Sequence, residues 1–142
     1  MRNPSDPEIA EILRSTRVIA LVGYSPNPNR PSNGVARFLQ RKGYRVIPVN
    51  SGIAGQSHLG ETVYPDLAAI PPEAMVDMVD IFRQSDAVPE IVDQALLALP
   101  QLRTVWTQLD VINEAAAATA LAAGKQVVMN RCPAIEYPRL IG

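Results

Sequence analysis

Small polar residues stand where the first predicted strand ends, and their chemistry suits a phosphate-bearing ligand. The apolar run Val18 to Val22 stops at Gly23 and enters a polar, proline-rich loop, after which a helical pattern begins. A strand, a glycine turn and a helix in this order bring backbone N–H groups and a helix N-terminus to the carboxyl edge of a sheet, where phosphates bind. The sequence therefore predicts a nucleotide-type phosphate site at this turn.

Three arginines follow predicted strand ends and would add positive charge at the same edge. Arg30 lies in the loop at residues 23–32, which we call the first loop. Arg83 follows a central strand, and Arg131 follows the last strand. A guanidinium can bind two phosphate oxygens at once through its planar fork. Solvation in a loop explains any one of them equally well, but three in a chain of net charge −1 favour a polyanionic ligand.

Two departures from the dinucleotide fingerprint disfavour an ordinary NAD site. That fingerprint places three glycines after the first strand and an acidic residue at the end of the second strand. Here Gly23 is the single glycine of the turn, and the neutral Asn50 ends the second predicted strand. An NAD(P)-binding oxidoreductase or redox-sensor domain on the same sheet remains the alternative hypothesis.

Residues that could catalyse a reaction are scarce in this chain. His58 is the only histidine, and it has no carboxylate at triad or metal-binding spacing. Asp77 and Asp80 are three residues apart on a predicted strand, so they face opposite sides; we expect Asp80 to be buried and hydrogen-bonded. Cys132 is the only cysteine, and we interpret it as a structural thiol. We therefore expect a binding protein with no metal site and no enzymatic activity.

Alternating strands and helices would position these residues. The apolar patterns predict strands at residues 17–23, 44–49, 75–82, 103–109 and 126–129. They predict helices at 33–42, 88–99 and 114–123, preceded by a short helix that follows a capping box at Ser5 and ends near Ser15. Ser32 and Asn113 are the predicted N-caps of two of these helices.

The order of these elements predicts an α/β fold. Strands that alternate with helices form a parallel sheet with right-handed crossovers. We expect one Rossmann-like domain over residues 1–142, with five or six parallel strands and helices on both faces. A short strand at 63–64, a single helical turn within 65–72 and an irregular tail from about residue 130 complete the prediction.

Composition excludes several classes of partner. Hydrophobic residues make up 47% of the chain and charged residues 19%, as in a globular protein. The net charge of −1 provides no basic surface for nucleic acid. No apolar run approaches the roughly 20 residues of a membrane helix, and the charged N-terminus does not resemble a signal peptide. We expect a cytoplasmic protein that binds neither nucleic acid nor membranes.

Five linked motifs carry a resemblance to a known family. They are VGYSPNPNRPS from Val22, GYRVIPVN from Gly43, VDIFR from Val79, VWTQL from Val105 and MNRCP from Met129. In these motifs the sequence resembles the stand-alone CoA-binding protein family, whose fold is similar to the CoA-binding domain of the succinyl-CoA synthetase α-subunit. The resemblance implies a Rossmann-like domain that binds coenzyme A or an acyl-CoA, with no established reaction.

The resemblance also implies roles for residues of the first loop. Gly23, Tyr24 and Ser25 are similar to the family residues that meet the CoA diphosphate, and Arg30 and Ser32 would extend that cradle. Backbone donors and a helix dipole at this position agree with binding of a diphosphate.

Other strand exits match the remaining parts of CoA. Asn50 and the loop after it match the place that receives the ribose and its 3′-phosphate. Ile81, Phe82 and Arg83 match the strand exit beside adenine, and Gln108 matches the next exit, toward the pantetheine.

Three further expectations depend on this resemblance. Asp110 stands where relatives are expected to carry a glycine, so the local turn should differ there. Since CoA ends in a thiol, a mixed disulfide with Cys132 is an alternative to the structural interpretation of that residue. A homodimer or an unknown protein partner is the remaining expectation.

Overall fold

A parallel sheet of five strands forms the centre of the computed structural model, which describes residues 1–142. Its strands are β1 (Val18–Val22), β2 (Arg45–Val49), β5 (Met78–Ile81), β6 (Thr104–Thr107) and β7 (Gln126–Val128). The two remaining strands, β3 (Ser57–His58) and β4 (Glu61–Thr62), form a separate antiparallel hairpin. The spatial order of the sheet is β2-β1-β5-β6-β7.

Helices cover both faces of this sheet. One face packs against α1 (Asp6–Ser15), α2 (Pro31–Arg41) and α5 (Pro133–Leu140), and the other packs against α3 (Val88–Ala98) and α4 (Glu114–Ala122). The alternating pleat divides the core, because Ile19 and Leu21 face the first layer while Ala20 and Val22 face the second. The predicted Rossmann-like α/β fold is confirmed, with five parallel strands.

Helix caps show how far local sequence determines the boundaries. Ser5 and Glu8 form the expected capping box at α1, and the Asn113 side chain caps α4 by accepting from the Ala116 N–H. The prediction for α2 was wrong: Arg30 is its N-cap and Ser32 lies inside its first turn. The helix begins earlier than predicted, at Pro31, because a proline needs no N–H partner in the first helical turn. The longest helices, α2 and α3, have 11 residues, and no helix is long and apolar enough to cross a membrane.

The predicted irregular tail is the largest error of the sequence analysis. Residues Pro133–Leu140 form α5, with Pro133 in the first turn, where its missing N–H costs nothing. Arg139 joins this helix to the start of the chain by donating to the Asp6 carboxylate at 2.9 Å. Tertiary packing against α1 and α2 therefore stabilises a helix that two prolines argued against.

The segment between β2 and β5 also differs from the prediction. Tyr64 makes only an isolated parallel bridge to Val49. The helical turn predicted within 65–72 is present as a 3₁₀ turn at Leu67–Ala69, and a second 3₁₀ turn follows at Pro72–Ala74. Strand β5 begins at Met78 rather than at residue 75, because Met75 adopts a left-handed backbone conformation with φ of 58°.

The strand order places a topological switch point between β1 and β5. From β1 the chain passes to β2 on one side, and then crosses back to β5 on the other side of β1. The connections that leave β1 and β5 consequently diverge at the carboxyl edge of the sheet. In open parallel sheets, ligands bind in the crevice that this divergence creates.

Asp80 is buried in the middle of the sheet without a hydrogen-bond partner, which corrects the expectation of a bonded carboxyl. It pairs in register with Leu21 on β1 and Trp106 on β6, and neither of its carboxyl oxygens has a partner. Complete burial raises the pKa of Asp80 well above its ordinary value. Asp77, by contrast, accepts hydrogen bonds from the backbone N–H groups of Arg17 and Val18.

Replacing Asp80 with Asn should stabilise the protein near neutral pH more than near pH 4. The folded state retains the Asp80 proton at pH values where the unfolded chain, with a pKa of about 3.9, has lost it. Wild-type stability should therefore fall above that value by up to about 1.4 kcal/mol per pH unit, until the folded pKa is reached. Asn has no proton to lose, so the Asp80→Asn variant should lack this decline.

Urea unfolding of both proteins from about pH 4 to about pH 8 measures this difference. Asp93→Asn, at an exposed position of α3, is the matched control and should keep the wild-type pH dependence. A constant stability difference between Asp80→Asn and wild type across the range would show that the carboxyl is not held protonated.

Candidate functional site

A cleft of about 550 Å³ opens at the carboxyl edge of the sheet, at the switch point. Its walls come from the exits of β1 and β2, from residues 65–67, from Arg83 after β5 and from the first turns of α3. Of the residues predicted to bind a ligand, the cleft brings together three: Gly23, Asn50 and Arg83. The volume falls within the range of about 300–1,000 Å³ that is usual for small-molecule sites.

Gly23 is required by the neighbouring strand exit. Its φ is +90°, and a Cβ at this position would lie 2.2 Å from the carbonyl oxygen of Phe82. The two exits are joined because the Phe82 N–H donates to the Val22 carbonyl at 2.8 Å. Gly23, which was predicted to meet a ligand, is therefore required by this backbone contact whether or not a ligand binds.

The rest of the first loop is held by its own hydrogen bonds. The Ser25 N–H donates to the Oγ atom of Ser32 at 3.0 Å, and the side-chain amide of Asn33 donates to the Ser25 carbonyl at 3.1 Å. Ser32 and Asn33 are buried. Ser25 and Ser32 thus fix the loop to the start of α2, and Arg30 is exposed outside the cleft walls.

Asn50 links the exits of β2 and β1. Its Nδ2 donates to the Tyr24 carbonyl at 2.7 Å, and its Oδ1 accepts from the Gly52 N–H at 2.7 Å. An aspartate could make only the second of these bonds, because a carboxylate has no N–H to donate. The amide at the position usually occupied by an acid is therefore explained by the contact with the first loop.

The residues that leave β5 diverge in direction. Ile81 is fully buried in the core beneath α3, and the partly buried Phe82 side chain packs on the opposite face of the sheet, toward α1 and α2. Arg83 is exposed, lines the cleft and takes part in none of the ion pairs of the structure. Only Arg83 of these three therefore presents its side chain to the cleft.

Gln108 supplies an unused acceptor after β6. Its side chain is 8% exposed, and Oε1 has no hydrogen-bond partner. Asp110, two residues later, has φ of 68°, a left-handed conformation that glycine adopts at low cost and that Asp tolerates. The Asp110 N–H donates to Oδ1 of Asn130 at 2.7 Å, which joins the exits of β6 and β7.

The cleft also contains acidic residues that the sequence analysis missed. Asp66 and Glu90 line it, and Asp66 accepts from the Ala69 N–H at 3.0 Å. A capping pattern at Asp66 was the only local signal, because neither residue follows a strand of the parallel sheet. Their negative charge leaves the side of Arg83 and the first loop as the favourable place for a phosphate.

His58 and Cys132 lie outside the cleft walls. The Nε2 atom of His58 contacts Gln56 Oε1 at 2.9 Å, and its ring centroid lies 5.7 Å from that of Tyr24. Cys132 is 6% exposed, belongs to the core on the α1 and α2 side, and is the N-cap of α5. Its burial supports the structural interpretation of the thiol.

Comparison with known proteins identifies the family. A family model described as "CoA binding domain" matches residues 17–138. The chain belongs to this CoA-binding domain family. It is 35% identical over 132 residues to the uncharacterized protein YneT of Bacillus subtilis (strain 168), covering 93% of each chain.

Solved structures of similar proteins share the whole fold. A hypothetical protein from Pyrococcus horikoshii OT3 superposes with a TM-score of 0.90 at 36% identity, covering 100% of this chain and 98% of that one. A Thermus thermophilus protein, cell-free ID.343, gives 0.90 at 30% identity, with 97% and 100% covered. Prb, described as the PH1109 protein redesigned for binding, gives 0.91 at 35% identity, with 100% and 96% covered.

Gly23→Ala should destabilise the protein far more than Gly43→Ala. Both glycines have positive φ, but an added Cβ at Gly43 would meet no atom within 4 Å. The control should therefore cost only the backbone strain of about 1 kcal/mol, whereas Gly23→Ala adds a clash with backbone and should cost about 3 kcal/mol or more. Thermal or urea unfolding measures both, and equal losses would contradict the importance of the contact with Phe82.

Proposed function

We propose that this protein binds coenzyme A or an acyl-CoA in the cleft at the switch point, as a non-catalytic binding or regulatory module. Membership of the CoA-binding domain family supports binding of CoA in general. The observation that carries the finer proposal is an unpaired arginine, Arg83, in a cleft where the exits of β1, β2 and β5 meet. We assign the phosphates and the ribose to this cleft and the pantetheine to the neighbouring exit of β6, which lies outside the cleft walls.

The phosphates fit the side of the cleft that Arg83 and the first loop form. Ala87, at the N-terminal end of α3, lines the cleft, and no side chain caps this helix. The first N–H of this helix is already hydrogen-bonded and the next residue is a proline, so α3 offers an anion only the positive end of its dipole. The Arg83 guanidinium can bind two phosphate oxygens at once. Asp66 and Glu90, the latter in the first turn of α3, would repel the phosphates, which should therefore lie at the guanidinium.

The ribose fits beside the exit of β2. Asn50 and Ser51 line the cleft there, and Asp66 adds a carboxylate that can accept a hydrogen bond from a hydroxyl. A 3′-phosphate beside Asp66 would be repelled, so this group should turn toward Arg83. In this arrangement the ribose lies beside Asn50, and Arg83 neutralises the 3′-phosphate.

The pantetheine arm fits the exit of β6. A buried acceptor without a partner is costly, and the Oε1 atom of Gln108 is such an acceptor. The pantetheine contains amide N–H groups, which would satisfy this oxygen. This unpartnered acceptor supports the placement of a ligand with hydrogen-bond donors at the exit of β6.

The chemistry of the cleft supports a role in binding. Its ionisable side chains are Asp66, Arg83 and Glu90, and its walls contain no cysteine or histidine. A nucleophile held beside a general base is the usual requirement for acyl transfer. The proposed role is therefore to hold CoA, alone or for a partner protein.

An NAD(P)-binding function is the second candidate, and one observation favours it. Asp66 places a carboxylate in the cleft although the second strand ends in Asn50. Dinucleotide-binding proteins use an acid in this region to bind the ribose hydroxyls. Thermal-shift measurements with CoA, NAD, NADP and ATP distinguish the two candidates: CoA should raise the melting temperature most if the first is correct.

Arg83→Gln should weaken CoA binding at least about tenfold, because charge-assisted hydrogen bonds to phosphate contribute about 1.5–3 kcal/mol. Isothermal titration calorimetry with CoA measures the loss. Arg103→Gln is the matched control, since Arg103 is exposed at the opposite edge of the sheet, before β6. Wild-type affinity in the Arg83 variant would exclude this arginine from the site.

Gln108→Leu should weaken binding of CoA but leave binding of adenosine 3′,5′-bisphosphate unchanged. The second ligand has the adenosine, the 3′-phosphate and one of the two 5′-phosphates of CoA but no pantetheine, so it cannot use the Gln108 acceptor. Removing an unpaired buried oxygen should leave the free energy of unfolding equal or higher. Equal weakening of both ligands would contradict the placement of the pantetheine at this exit.

A further inference from the structure

A second cavity lies on the other side of the first loop. It is a surface groove of about 670 Å³ between α2 and the β3–β4 hairpin, and we name it the α2 groove. The residues that define its chemistry are Tyr24, Arg37, Arg41, Tyr44, His58 and Leu59. None of the residues that line the cleft also lines this groove. It is therefore a separate site, reached from the opposite face of the sheet.

The α2 groove is positively charged. Arg37 and Arg41 are four residues apart on α2, so their side chains emerge on the same face of the helix. Neither arginine takes part in an ion pair, and no Asp or Glu lines the groove. Arg45, the next arginine along the chain, is by contrast paired with Glu61, its Nε atom lying 2.9 Å from the Glu61 Oε2 atom. The two unpaired guanidiniums repel each other, and an anion bound between them would remove that repulsion.

The helix dipole explains only part of this arrangement. Arg41 lies in the last turn of α2, where a cation is favoured by the negative end of the dipole. Arg37 lies a full turn earlier and receives little of that stabilisation. Because Arg37 has no ion pair and no Asp or Glu lines the groove, its positive charge is not compensated there.

Aromatic rings form the wall of the groove beside these cations. Tyr24 and Tyr44 form its floor and are buried, the Tyr44 hydroxyl donating to the Leu13 carbonyl, whereas His58 and Leu59 are half-buried and provide the accessible apolar surface. The ring of His58 lies 5.7 Å from that of Tyr24, tilted by 51°. Burial raises the pKa of Tyr24, while the positive charge of Arg37 opposes this shift. Tyr24 and Arg37 both line the groove, so its apolar and cationic parts are adjacent.

We propose that the α2 groove is a second binding site, for a small phosphate monoester that has a flat or apolar organic part. The phosphate would lie between Arg37 and Arg41, each of which can bind two of its oxygens. The organic part would pack against His58 and Leu59, above the buried ring of Tyr24. A monoester is favoured over a carboxylate because its dianion can satisfy two guanidiniums at once.

Phenyl phosphate is a suitable probe, since it combines a dianionic phosphate with a flat apolar ring. Amide chemical shifts of the full chain, recorded by NMR during a titration, report binding at each position. We expect saturable shifts at Tyr24, along residues 37–41 and at 58–59, with a Kd on the order of 1 mM. Inorganic phosphate should bind these positions more weakly, because it leaves the aromatic wall uncovered.

Variants separate the α2 groove from the cleft. Arg37→Gln combined with Arg41→Gln should weaken phenyl phosphate binding at least about tenfold. Arg103→Gln and Arg83→Gln should leave this binding unchanged, since neither arginine lines the groove. Calorimetry with CoA on the same double variant should give the wild-type affinity. Absence of phenyl phosphate binding at the α2 groove is thereby distinguished from absence of CoA binding at the cleft.

Two results would overturn the proposal. One is the absence of saturable shifts at Tyr24 and residues 37–41 while the wild-type spectrum remains that of a folded protein. The other is unchanged phenyl phosphate affinity in the double arginine variant, which would show that these cations do not bind the probe.

Discussion

The contact between Gly23 and the carbonyl of Phe82 is the constraint on which the site depends. The exits of β1 and β5 approach so closely that a Cβ at Gly23 would lie 2.2 Å from the Phe82 oxygen. This approach occurs at the point where the chain changes direction across the sheet, between β1 and β5. The cleft exists because the connections from these two strands separate immediately after they touch.

Hydrogen bonds then fix the walls around that contact. Asn50 fastens the exit of β2 to Tyr24, and Ser32 fastens Ser25 to the start of α2. Consequently the first loop has two distinct sides, since Gly23 lines the cleft and Tyr24 lines the α2 groove. A loop held at so many points can present different chemistry on each face of the sheet without a large change in backbone.

Charge distribution gives the two cavities different preferences. The cleft combines Arg83 with Asp66 and Glu90, which suits a ligand that carries both phosphates and hydroxyl groups. The α2 groove has Arg37 and Arg41 without a carboxylate, which suits a compact anion. The net charge of −1 conceals this separation, because it sums over surfaces that a ligand meets one at a time.

The sequence alone determined the elements that local patterns encode. Apolar runs gave the five parallel strands, the Ser5 and Asn113 caps marked two helix starts, and linked motifs indicated the family. Contacts between distant segments were decided only by the tertiary structure. It formed α5 despite two prolines, left Asp80 without a partner, placed Phe82 on the face opposite the cleft and brought Asp66 into it. The physical reason is one of range. Hydrophobic periodicity and helix capping depend on residues a few positions apart, and so they can be recognised in the sequence. The burial of a side chain, and the residues that surround the end of each strand, depend on the spatial order of the strands in the sheet.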